Sequence, residues 1–84
     1  MDEMESPVKL FKNKDRPYSL LATEDKDDVI WAKLIDDEPK EAGNRITKEE
    51  FNNMIIQQHW EPDVNIAFTF DGKEFQPIKH KNTL

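Results

Sequence analysis

Apolar and polar residues alternate at both ends of this chain, while one segment between them carries apolar residues at helical spacing. Val8 and Leu10 stand two apart with lysines beyond them, a spacing that predicts a short half-buried strand. Asn13-Lys14-Asp15-Arg16-Pro17 is turn material, because Asn and Asp bond their own backbone and Pro presets φ. Two strand-like runs follow, Tyr18 to Thr23 and Val29 to Ile35, around the polar stretch Glu24 to Asp28. With all five polar residues taken as the loop, Ala22 faces Ile30, Leu20 faces Ala32 and Tyr18 faces Leu34, giving one clean apolar face. The opposite face then carries Leu21, Val29, Trp31 and Ile35 beside Ser19, Thr23 and Lys33. The segment Asp36 to Arg45 shows no period and contains both Pro39 and Gly43, so it is expected to be a long loop.

Thr47 followed three residues later by Glu50 forms a capping box, with Ile46 and Phe51 as the matching hydrophobic staple. Phe51, Met54, Ile55, Gln58 and His59 recur at helical spacing, and the helix is expected to end near Trp60, before Pro62. Ile56 and Trp60 fall on its flank, and His59 on the stripe beside the core. Beyond Asp63, Val64, Ile66, Phe68 and Phe70 alternate with Asn65, Ala67 and Thr69. Asp71-Gly72 suits a two-residue type I′ turn, with Lys73 to Ile78 returning and Phe68 facing Phe75. Pro77 cannot donate to a sheet and marks an edge or an end. The resulting order is β-β-β-α-β-β, a small α+β domain with a mainly antiparallel sheet and one amphipathic helix packed on it. The chain reads as a single domain over residues 1–84, with residues 1–6 and 79–84 expected to be flexible tails.

Composition narrows the function classes. Leu, Ile, Val and Phe make up 20 of the 84 residues, enough for a thin core and too few for a large enclosed cavity. Without cysteine there is no disulfide, thiolate metal site or thiol nucleophile. The acidic start and the short apolar runs point to a soluble, cytoplasmic protein. The formal net charge is −6, concentrated between Glu24 and Asp63 in the two polar stretches and the helix start. Such a surface serves solubility, or steers association with a basic partner.

Motifs for catalysis and cofactors are missing. The serines, Ser6 and Ser19, lack a nucleophile-elbow context, and two glycines, Gly43 and Gly72, cannot build a phosphate-cradling loop. His59 and His80 form no helical metal pair. Counting from Asp25, the sixth and twelfth positions of a calcium loop are Ile30 and Asp36, where Gly and Glu are required. Carboxylate pairs such as Asp36-Asp37 and Glu49-Glu50 fall in solvated places. No enzyme, metal site or cofactor is expected. Phe68, Phe70 and Phe75 near Lys73, Lys79, His80 and Lys81 suit base stacking in principle, but the same rings must bury against the helix and the pI of about 4.8 opposes a polyanion.

Trp31 has two placements. Either the first strand and N-terminal segment cover it, or it is exposed with aliphatic neighbours and an acidic rim, the composition of an interaction hot spot. The leading expectation is a non-enzymatic protein-binding module, an adaptor or inhibitor acting on a larger, partly basic cytosolic protein. Its candidate partner-binding residues are Leu21, Val29, Trp31 and Ile35 with Asp25, Asp27, Asp28, Asp36, Asp37 and Glu38. One alternative is a nucleic-acid mimic, encoded by a mobile element, that inhibits a DNA- or RNA-processing enzyme. Another is a homo-oligomeric structural subunit whose spare face pairs with itself. Neither direct nucleic-acid binding nor membrane association is expected.

Overall fold

The computed structural model describes residues 7–78, so both expected tails lie outside the described residues. The elements are β1 (Val8–Lys12), β2 (Ser19–Asp25), β3 (Asp28–Ile35), β4 (Glu38–Thr47), α1 (Lys48–Gln57), β5 (Glu61–Asp63), β6 (Phe68–Phe70) and β7 (Phe75–Pro77). Five strands form one antiparallel sheet in the order β4-β3-β2-β1-β5, and β6 and β7 form a separate hairpin. This is an α+β fold, with an antiparallel sheet and one helix among the described residues. The chain meanders from β1 to β4, crosses one face of the sheet as α1, and adds β5 outside β1 at the far edge.

Both faces of the sheet are buried, under different covers. One face presents Phe11, Leu20, Ala22 and Val29 to Phe51 of the helix and to Trp60, with Tyr18, Trp31, Ile46, Met54 and Ile55 packed around them. The other presents Val8, Leu10, Leu21, Ile30 and Ala32 to Phe68, Phe70 and Phe75 of the hairpin. The phenylalanines therefore pack beneath the sheet on the side away from the helix, and not against the helix as the strand pattern suggests.

This two-sided burial corrects the β2–β3 register. The connection is a two-residue turn at Lys26-Asp27, with Lys26 at φ 58°, and not a five-residue loop. Asp25 faces Asp28, Thr23 faces Ile30 and Leu21 faces Ala32, one residue from the expected pairing. The face of Tyr18, Leu20 and Ala22 thus continues through Val29, Trp31 and Lys33. A one-residue slip exchanges the faces of a strand, and one apolar face fixes register only when the other is solvated. Here neither is solvated.

The expected loop at Asp36–Arg45 is most of a fourth strand. Asp36 and Asp37, at φ 53° and 64°, make a two-residue turn of the type I′ kind without glycine, and β4 returns along β3. Its periodicity is erased by a bulge. Trp31 faces Asn44 and Lys33 faces Lys40, leaving Glu41 to Gly43 opposite Ala32, with Glu41 and Gly43 at φ 55° and 88°. Bulge, Pro39 and charge blunt this edge, and at the other edge β5 is three residues long with Pro62 in its middle.

The helix begins as expected. The Glu50 N–H donates to Thr47 Oγ1 at 3.1 Å, and Ile46 and Phe51 share one cluster. It ends earlier than Pro62 requires. Trp60 N–H donates to Ile55 O at 3.0 Å and His59 N–H to Ile56 O at 3.2 Å, a Schellman closure with His59 at φ 62° where glycine is usual. That closure swings Trp60 into the core, at 5 % exposure, and puts His59 on the surface.

The β6–β7 hairpin keeps its edge proline with a longer loop than expected. Phe70 faces Phe75 and Phe68 faces Pro77, so four residues, Asp71 to Glu74, make the turn. Asp71 Oδ1 accepts the N–H groups of Lys73 and Glu74 at 2.8 and 2.9 Å, which favours the wider loop over an Asp-Gly two-residue turn. The aromatic pair is accordingly Phe70–Phe75, with centroids 5.0 Å apart. Val64, expected inside, is 90 % exposed.

Candidate protein-binding surface

The register decides where the candidate residues go. Leu21 is wholly buried under the hairpin, and Val29 is 4 % exposed under the helix. Leu21 therefore shares no surface with Val29, Trp31 and Ile35, and the expected spare apolar face does not exist as drawn. Trp31 and Ile35 stay on the helix side, each half-buried. Trp31 packs on the helix-side core, and its indole N–H is buried without a hydrogen-bond partner.

The six candidate acids separate into two groups at opposite ends of β3, an eight-residue strand that spans about 25 Å. At the first end, Arg45 Nη1 reaches Asp25 Oδ2 at 2.9 Å and Asp28 Oδ2 at 3.3 Å. The Asp25 hydrogen bond, then that of Asp28, raises the guanidinium pKa above its usual value. Glu24 is similarly placed between Lys48, at 3.4 Å, and Lys9, at 3.8 Å. The helix starts here, with Lys48 N–H donating to Asp27 O at 3.0 Å. Much of the carboxylate charge at this end is thus compensated within the fold.

The second end is built differently. It joins the β1–β2 loop, the β3–β4 turn and the helix C-terminus, the loop being tied to the helix by Asn13 Nδ2 donating to Gln58 O at 2.6 Å. Arg16 lies 5.8 Å from the Trp60 ring centroid, with Nη1 donating to the Tyr18 hydroxyl at 3.4 Å. Tyr18 and Trp60 pack at 5.8 Å, and Lys33 Nζ lies 5.0 Å from the Tyr18 ring centroid. Arg16, Tyr18 and Lys33 are each half-buried, so the cations and the Tyr18 ring of these pairs are presented at the surface. An open pocket of about 380 Å³ lies between the loop and the turn, lined by Lys12, Arg16, Tyr18, Ser19, Asp36 and Asp37 among others. Lys12 is engaged with Asp63 at 3.1 Å. The backbone N–H of Asn65, then Lys12, holds the Asp63 carboxyl below its usual pKa. Among the described residues, Asp36 and Asp37 form no ion pair, while Glu38 pairs with Lys40 at 3.0 Å.

The aromatic and basic half of this surface, Arg16, Tyr18 and Lys33 with the buried Trp60 beneath them, is absent from the residues singled out in the sequence. Its only legible sign was the nearness of Arg16 to Tyr18 along the chain. Lys33 and Trp60 join them through strand pairing and the Schellman turn. Among the described residues no cluster of His, Asp and Glu is arranged to hold a metal ion, and no helix is long and apolar enough to cross a membrane. Comparison with known proteins yields no matching family, no matching curated protein and no matching solved structure.

Proposed function

We propose that this protein is a non-enzymatic protein-binding module, an adaptor or inhibitor that docks a larger cytoplasmic protein through the end formed by the β1–β2 loop, the β3–β4 turn and the helix C-terminus. The observation that carries this reading is half-buried Arg16 and Tyr18, with Lys33 over the Tyr18 ring, lining one pocket with Asp36 and Asp37, which form no ion pair among the described residues. Trp, Tyr and Arg dominate binding hot spots, because they bury large rigid areas while keeping a polar handle. The acids add steering toward a basic patch on the partner. Both acids are held in the positive-φ β3–β4 turn, which fixes their position at this end.

The reading is narrower than the sequence alone supports. Asp25 and Asp28 are occupied with Arg45, so Asp36 and Asp37 carry the recognition. Self-association through sheet edges is disfavoured by the bulge in β4 and the shortness of β5. The test is capture from native extract with immobilised protein, comparing the parent with Arg16→Ala/Lys33→Ala and Asp36→Asn/Asp37→Asn. A partner retained by the parent and lost by both double variants, each still folded by circular dichroism, supports the reading. Equal capture by all three removes this end from the interface.

A further inference from the structure

The β6–β7 hairpin is attached to the rest of the molecule unlike any other element. Among the described residues, no hydrogen bond or ion pair joins residues 68–78 to the five-stranded sheet or to α1. Its polar contacts are internal: Asp71 bonds Lys73, Glu74 and Gln76, and Ile78 N–H donates to Ala67 O at 2.9 Å. What holds it is the packing of Phe68, Phe70 and Phe75 on Val8, Leu10, Leu21, Ile30 and Ala32. The helix, by contrast, is tied at both ends by directional bonds, Lys48 to Asp27 and Asn13 to Gln58.

From this we infer that the hairpin is a detachable lid: it opens as one unit about the segment 64–67 and uncovers the apolar face beneath it, while the sheet and helix remain folded. Three features support this. Apolar contact is non-directional, so breaking it leaves no stranded hydrogen bond on either side. The segment 64–67 lies between β5 and β6 without belonging to a strand, and Val64 within it is 90 % exposed. The helix-side core, centred on Phe11, Leu20, Phe51 and Trp60, contains no residue of the hairpin and stays intact when the lid lifts. Sub-global opening takes place in contiguous cooperative units that often coincide with supersecondary motifs, and this hairpin is such a unit.

Native-state amide exchange, followed by NMR on the full chain, tests it. The Ala67–Ile78 and Asp71–Glu74 bonds set an alternation that makes Thr69 and Gln76 a hydrogen-bonded pair. The amides of Thr69, Asp71, Gln76 and Ile78 should share one protection factor, about 100-fold below the best-protected amides of β2 and β3. Their exchange should also depend less steeply on added urea, because lid opening exposes less surface than unfolding. Protection and urea slopes equal to those of β2 and β3 would overturn the lid, since the hairpin would then open only with the whole molecule. Four unrelated protection factors would overturn it equally, since the hairpin would be fraying residue by residue.

Discussion

His59 shows how much one residue decides in so small a fold. Its left-handed backbone closes the helix, and the closure carries Trp60 into the core beside Tyr18. Its side chain is exposed, so nothing in the packing requires histidine there. His59→Gly should raise stability by about 0.5–1 kcal/mol, and His59→Val should lower it by about 1 kcal/mol or more, by urea denaturation. Trp31 is the complementary case, a side chain whose apolar body packs while its N–H finds no partner. Trp31→Phe removes the unpaired donor and should be within about 1 kcal/mol of the parent, whereas Trp31→Ala should cost about 2 kcal/mol for a site only partly buried. Thermal melts of both check this, and a negligible cost for alanine would return Trp31 to the surface. At Asp71, the N–H groups of Glu74 and then Lys73 hold the carboxyl below its usual pKa. The stabilisation is therefore complete above the unfolded carboxylate value of about 4 and is lost as pH falls through the lowered folded value. Asp71→Asn should show a smaller fall in melting temperature than the parent between about pH 5 and pH 2.

At the scale of elements, the helix was the most legible part, because its signals are local. The Thr47 cap and the Ile46–Phe51 staple lie within five residues of each other and need no knowledge of the sheet. Thr47→Ala should cost about 1 kcal/mol, and Phe51→Ala about 3 kcal/mol or more, since Phe51 is 4 % exposed between Phe11 and the sheet. Similar small losses for both, by denaturant unfolding, would mean that the helix does not pack as described. β1 was equally legible, from the spacing of Val8 and Leu10. Most of what the sequence hid is non-local. β4 escaped because its bulge breaks the alternation at Glu41–Gly43 and its turn uses Asp36-Asp37 in place of a glycine pair. The β2–β3 register escaped because cover on both faces makes either pairing look apolar. The hairpin loop escaped because Asp71 bonds ahead along its own backbone, a preference of aspartate that competes with the Asp-Gly turn.

At the scale of the whole molecule, the fold sorts charge by end. The charge that looks continuous along the chain becomes one end where Arg45, Lys9 and Lys48 answer the acids, and another where Asp36 and Asp37 stand beside Arg16, Tyr18 and Lys33. The acids of the candidate surface were thus legible in the sequence, whereas their division into two groups and their aromatic neighbours depended on strand register. Neither Asp36→Asn/Asp37→Asn nor Asp25→Asn/Asp28→Asn should change stability by more than about 1 kcal/mol, since exposed ion pairs contribute little. Their effects on recognition should differ. With a captured partner in hand, the most direct measurement is the association rate constant against ionic strength for the parent and these two double variants. The expected result is a several-fold slower association and a flatter salt dependence for Asp36→Asn/Asp37→Asn, with Asp25→Asn/Asp28→Asn close to the parent. Equal rates and equal salt slopes for all three proteins, or a loss confined to Asp25→Asn/Asp28→Asn, would contradict the assignment of recognition to the Asp36–Asp37 end.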